Sequence, residues 1–197
     1  MVEKELTKLE EYALENNIPI MQKDGINFLS NFIKSHNIKS ILEIGTAIGY
    51  SAIKMANTSK NVTVTSIERD SKRYLEAVNN VNNVKLDNRI TLIFSDAFDV
   101  KLDSKYDLIF IDAAKAQNEK FFEKFKYNLN DNGYIVTDNM NFHGLALKDE
   151  KEIESKNVRG IVRKIKEYKE FLVENQEFDT EFLDIGDGIA VSHKKGE

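Results

Sequence analysis

Short apolar runs recur through the middle of the chain at 40–44 (SILEI), 62–67 (VTVTSI), 90–94 (ITLIF), 107–111 (DLIFI) and 134–138 (YIVTD). Each is short, rich in β-branched residues and nearly continuous in apolar character, the pattern of a strand buried on both faces. Between them lie segments with helical spacing, 48–57, 71–83 and 116–130, the last carrying Phe121, Phe122, Phe125 and Leu129. Strand and helix in alternation predict right-handed crossovers and a mostly parallel sheet covered by helices on both faces. Two amphipathic helices come first, over 3–16 (Leu6, Leu9, Tyr12, Ala13) and 24–36 (Ile26, Leu29, Phe32, Ile33), with "NNIPIMQKDG" and the only proline between them. The tail differs: a long charged helix over about 150–175 leads to "FDTEFLDIGDGIAVSHK". That stretch reads as two strands joined by a hairpin turn around Gly186, Asp187 and Gly188.

Composition narrows the class. A chain of 197 residues suits one domain, and 41% hydrophobic residues is ordinary for a globular protein. The net charge of −5 argues against broad phosphate-backbone binding but leaves room for a local basic patch. With no cysteine there is no disulfide and no thiolate metal site, which fits a reducing cytosol. The opening "MVEKELTKLEEYALENN" is charged throughout, unlike a signal peptide, and no apolar run approaches the roughly 20 residues of a membrane span. The expectation is a soluble, cytoplasmic protein.

In an open parallel sheet, ligands sit beyond the carboxyl ends of the strands, where strand order reverses. The segments that follow the five runs are "EIGTAIGYS", Glu68, "SDAFD" with Asp96, Asp112, and Asp138 with Asn139. One acid at a strand end is commonly a helix cap; five along one edge, beside a glycine turn, mark a site. The Gly45–Gly49 loop lacks the second glycine of a dinucleotide fingerprint, because Ala47 stands there. That glycine makes room for a pyrophosphate, so a nicotinamide-dependent oxidoreductase becomes the weaker class. Glu68 is spaced to accept hydrogen bonds from a ribose diol. A nucleoside without a pyrophosphate fits, and S-adenosylmethionine is the obvious choice.

"ILEIGTAIGYSAIKMA", "SIERD", "SDAFD", "DLIFIDAAKAQNEKFF", "YIVTDNMNFHG" and "IGDGIAVS" together resemble the cation-dependent O-methyltransferases of the catechol and caffeoyl-CoA type, in order over residues 12–193. "ENNIPIMQKDG", "IDAAKAQ" and "NVRGIVRKIKEY" are most similar to the bacterial branch that methylates 5-hydroxyuridine at the tRNA wobble position. The resemblance implies a Rossmann-like class I methyltransferase: a single domain over 1–197 with a seven-stranded, mostly parallel sheet and an antiparallel last strand. It implies that the N-terminal helices of 1–36 form part of the lid on the substrate side, with Met21, Gln22 and Asp24 in the lid segment. It also implies that Asp112, Asp138 and Asn139 hold a divalent cation. Three oxygen ligands without His or Cys suit Mg²⁺, with Mn²⁺ and Ca²⁺ as alternatives. For the S-adenosylmethionine site it implies Glu43, Gly45, Thr46, Tyr50, Ser51, Glu68, Arg69, Asp96, Ala97 and Asp112. Tyr50 and Ser51 would meet the methionine carboxylate, and Asp96 and Ala97 the adenine edge.

Methyl transfer to a hydroxyl needs a deprotonated oxygen in line with the sulfonium. A catechol and a 5-hydroxyuridine both offer two adjacent oxygens that can chelate one cation, which lowers the hydroxyl pKa. Lys115 is the candidate base, with oxyanion stabilisation as the alternative role, and Ala113 and Ala114 leave space for a flat ring. Arg159, Arg163 and Lys166 make one basic stripe on the long helix, and Lys120, Lys124 and Lys126 add charge near Lys115. A solvated face is the plain reading, and contact with a tRNA anticodon loop the functional one. His143 is close enough to Asn139 to line a substrate pocket. A homodimer through the Phe-rich 121–125 region or the N-terminal helices completes the expectations; free catechols are the alternative substrate, and a non-catalytic RNA-binding domain the other class.

Overall fold

The computed structural model describes residues 2–195. Seven strands form its sheet: β1 (Ser40–Ile44), β2 (Thr63–Glu68), β3 (Ile90–Phe94), β4 (Tyr106–Ile111), β5 (Leu129–Thr137), β6 (Phe178–Leu183) and β7 (Ile189–Lys194). Their spatial order is β3-β2-β1-β4-β5-β7-β6. The first five pair in parallel, and β7 runs antiparallel to both β5 and β6. The antiparallel last strand is therefore inserted beside β5, and the seven-stranded Rossmann-like expectation holds.

Alternation along the strands explains the two layers. Leu108 and Phe110 of β4 face the core shared with α1 (Val2–Glu15), α2 (Lys23–Ser35) and α3 (Tyr50–Ala56). Ile109 and Ile111 face the core shared with α5 (Asn118–Phe125) and α6 (Lys156–Glu174), where Phe122, Phe125 and Tyr168 pack. All four β4 residues are 0% exposed, and burial of each contributes about 2 kcal/mol. The remaining long helix, α4 (Ser71–Asn83), starts at an Asp70 cap whose side chain accepts from the Arg73 N–H.

Three expectations needed correction. The helix expected over 116–130 is α5 alone, flanked by 3₁₀ turns at Lys115–Gln117 and Lys126–Asn128. The Asn128 amide donates to the carbonyls of Leu102 and Ser104, which turns the chain, and Leu129 already pairs with Tyr106 in β5. The tail helix begins at Lys156 rather than 150, because the Ser155 hydroxyl caps it by accepting from the Val158 N–H. Finally, Phe121, Phe122 and Phe125 are at most 4% exposed. They fill the protein's own core, so these side chains do not offer the exposed apolar surface that the expectation of a Phe-rich interface relied on.

Chain order reverses between β1 and β4, the neighbours that lead away to opposite edges of the sheet. A crevice opens there, above the strand ends. Among the described residues, no helix is long and apolar enough to cross a membrane.

Candidate active site

A cavity of about 490 Å³ lies over the carboxyl ends of the parallel strands, a size suited to a small-molecule ligand. Its floor depends on Gly45. This residue has φ +104°, and a Cβ there would collide with the Asp112 carbonyl oxygen. Gly45 is thus required by the close approach of the β1 and β4 ends, more directly than by any ligand. Ala47 also takes a left-handed φ of 47°, and its N–H donates to Glu68 Oε2 at 2.8 Å.

One half of the cavity is built around that carboxylate. Glu68 Oε1 accepts from the N–H groups of Arg69 and Asp70 at 2.9 and 2.8 Å. Three backbone donors fix the group in place and leave lone pairs for a diol. Arg69 pairs with Asp96 at 3.4 Å, and the Phe98 N–H holds the Asp96 carboxyl below its usual value. Glu68, Arg69, Asp96 and Ala97 all line the cavity.

Tyr50 and Ser51 line it too, but their donors are spent inside the protein. The Tyr50 hydroxyl donates to Glu10 at 2.7 Å, and the Ser51 hydroxyl donates to Glu43. Thr46, buried at the cavity wall, shares a 2.5 Å hydrogen bond with Ser66. Glu43 departs from its expected place: it is 0% exposed and lies beneath the loop, holding the hydroxyls of Ser51 and Ser66. It supports the Glu68 half of the cavity from below without lining it. Burial pushes its carboxyl up to about 7, against the pull of the two serines.

The other half gathers the acids. Lys115 Nζ donates to Asp112 Oδ1 at 2.9 Å, with each side chain one-fifth exposed. Asp138 is 2% exposed, and its Oδ1 is buried without a hydrogen-bond partner. Burial raises the Asp138 carboxyl well above its ordinary value, and the Asp112 charge raises it further. A buried, unpartnered carboxylate oxygen is costly unless a proton or a cation meets it. Asp112, Asp138 and Asn139 line the same cavity, so this donor set of hard oxygens fits a divalent cation. Among the described residues, no cluster of three or more His, Cys, Asp or Glu side chains is spaced to hold a metal; the candidate set is two acids and an amide.

The family model described as O-methyltransferase matches residues 2–195. The chain belongs to the O-methyltransferase family. Among solved structures, a candidate caffeoyl-CoA O-methyltransferase from Staphylococcus aureus is 39% identical, with a TM-score of 0.92 over 96% of this chain and 92% of that one. An O-methyltransferase from Bacillus cereus, solved in complex with SAH, is 23% identical with a TM-score of 0.83, over 98% of this chain and 91% of that one. A candidate caffeoyl-CoA O-methyltransferase of Arabidopsis thaliana is 27% identical over 97% of this chain and 85% of its own length.

The remaining expected residues of this O-methyltransferase chain divide. Met21 and Gln22 line the cavity, while Asp24 lies exposed in the first turn of α2, outside it. His143 lines the rim. Arg159 and Arg163 do not line the cavity; Arg159 donates to the carbonyls of Ile153 and Glu154 ahead of α6. Lys166 likewise reaches the Lys148 carbonyl, Lys124 that of Phe98, and Lys126 the acids Glu123 and Glu177. One acidic residue of the cavity went unassigned from the sequence. Asp187, read only as a hairpin-turn residue, is 5% exposed and accepts from the Asn139 amide at 3.1 Å. The signal that could have found it was an acid flanked by two glycines in a turn whose strand lies next to β5.

Proposed function

We propose that this chain is an S-adenosylmethionine- and divalent-cation-dependent O-methyltransferase whose acceptor is 5-hydroxyuridine at the wobble position of tRNA, giving 5-methoxyuridine. The observation that carries the reaction class is the unpartnered, buried Asp138 oxygen, in one cavity with Asp112, Lys115 and the Glu68 cradle. Glu68 would hold the ribose hydroxyls, and Asp96 with Ala97 would border the adenine. Asp112, Asp138 and Asn139 would hold the cation, Mg²⁺ being the best fit. When bound, it supplies Lewis acidity that lowers the pKa of a chelating hydroxyl. Lys115 Nζ, acting as the neutral amine, would take the hydroxyl proton and become the ammonium that pairs with Asp112, and the oxygen would attack the methyl carbon while the C–S bond breaks and the sulfur leaves as a neutral thioether.

For the substrate, support comes from the segments that resemble the tRNA-modifying branch and from the exposed cavity rim at His143, whose side chain is 71% exposed. A base already unstacked in a loop could enter there with few phosphate contacts. The names of the caffeoyl-CoA relatives favour a second reading, methylation of small catechol-like molecules. The same proposal takes the chain as a cytoplasmic homodimer. The test is nucleoside mass spectrometry of hydroxyuridine-bearing tRNA after incubation with protein, S-adenosylmethionine and Mg²⁺, with and without chelator. The proposal expects 5-methoxyuridine only without chelator; turnover of free catechol alone would overturn the tRNA assignment.

A further inference from the structure

The hairpin turn between β6 and β7 reaches into the cavity from outside the five parallel strands. Its backbone is fastened to the segment after β5: the Met140 N–H donates to the Gly188 carbonyl at 2.9 Å, and the Asn141 N–H to the Asp187 carbonyl at 2.8 Å. The contact is close enough that a Cβ on Gly188 would lie 2.7 Å from Asn141 Cγ. The segment it grips is unusual. Asn139, Phe142 and His143 all have left-handed backbones, with φ of 62°, 46° and 55°. Non-glycine residues keep such conformations only where their surroundings impose them.

Asp187 supplies two of the contacts that hold this segment. Its carboxylate is nearly fully buried. Oδ2 accepts from Asn139 Nδ2 at 3.1 Å, and Oδ1 accepts from the His143 N–H. Both oxygens are therefore occupied by donors, which makes Asp187 a poor candidate for a ligand itself. A carboxylate only accepts, so the nitrogen end of the Asn139 amide has to face it. The amide oxygen is then the end left over for the side of Asp112 and Asp138.

We propose that Asp187 is a positioning residue that fixes the orientation of the Asn139 amide, so that its oxygen rather than its nitrogen serves as the third cation ligand. This rests on the cation reading of Asp112, Asp138 and Asn139. An amide can present either end, and only the oxygen end binds a hard cation. Asp187 removes the ambiguity from outside the ligand set, and it ties the amide to the rim residue His143 through one carboxylate. Partners of this kind commonly tune metal affinity by about 10–100-fold.

The test titrates Mn²⁺ calorimetrically into protein saturated with S-adenosylhomocysteine, and measures S-adenosylhomocysteine affinity separately. Asp187→Asn offers a donor to one of two donors, and Mn²⁺ affinity should fall about 10–100-fold, while S-adenosylhomocysteine affinity stays within about twofold. In an Asn139→Ala background, where only Asp112 and Asp138 are left to hold Mn²⁺, Asp187→Asn should change Mn²⁺ affinity by no more than about twofold, because the amide it orients is gone. A merely structural role would lower both affinities together and act equally in either background. Wild-type Mn²⁺ affinity in Asp187→Asn would overturn the inference, as would a fall of the same size in the Asn139→Ala background. Asp138→Ala separates the two levels: if wild type shows no Mn²⁺ binding, or Asp138→Ala binds as wild type does, the cation reading falls and takes this inference with it.

Discussion

Glu43 offers the most quantitative test of the electrostatics beneath the Glu68 half of the cavity. Its carboxyl is raised from an ordinary 4.5 to about 7, chiefly by complete burial, with the Asp112 and Glu68 charges adding and the Ser51 and Ser66 hydroxyls opposing. In the pH range between these values the native state holds a proton that the unfolded chain has released. The unfolded state then binds fewer protons than the native one, so stability falls as pH rises through that window and is level above it. At about 1.4 kcal/mol per pH unit, the accumulated cost is about 3 kcal/mol. Glu43→Gln replaces the protonated form by a near-isostere that still has one acceptor and a donor for two rotatable hydroxyls. Denaturant melts of both proteins at pH 4.5 and pH 8 measure the difference. The variant should match wild type at the lower pH and exceed it by about 3 kcal/mol at the higher one. A difference that stays flat across this range, or a variant less stable at pH 8, refutes the argument.

Asp138→Asn should cut methyl transfer about 100-fold or more, yet raise the melting temperature of the metal-free protein at pH 8, because an unpartnered buried charge is gone. Lys115→Arg keeps a cation but cannot act as a base near neutral pH. If Lys115 removes the proton, steady-state kinetics should show the Arg and Met variants both slowed about 100-fold or more; an active Arg variant would assign it to oxyanion stabilisation. Gly45→Ala must force a Cβ against the Asp112 carbonyl at a positive φ, so urea unfolding should show a loss of about 3 kcal/mol or more.

Much of this was legible in the sequence, for physical reasons that differ from place to place. The strands β1 and β4 announce themselves because both sheet faces are covered there, so their apolar runs are nearly unbroken: Leu108 to Ile111 are all fully buried. β5 was harder. Its first half contains Asn130, Asp131 and Asn132, at the exposed end of the sheet, and this polar start hides the fact that Leu129 already pairs with Tyr106. Asp112 and Asp138 were visible because a strand end fixes where the next residue lies. Asp187 was not, because it reaches the cavity only through the insertion of β7 beside β5, a pairing of distant segments that local pattern does not reveal. The hydroxyls of Tyr50 and Ser51 likewise looked available until their partners, Glu10 and Glu43, were located.

The central claim is that Asp112, Asp138 and Asn139 grip one cation beside the methyl donor. Anomalous diffraction from crystals soaked with Mn²⁺ and S-adenosylhomocysteine tests it most directly. The account predicts a single strong peak bounded by an oxygen of each of the three side chains, with ligand distances of about 2.0–2.6 Å. Crystals with the cofactor bound and no peak at that position, or a peak lacking Asp138 as a ligand, would contradict it.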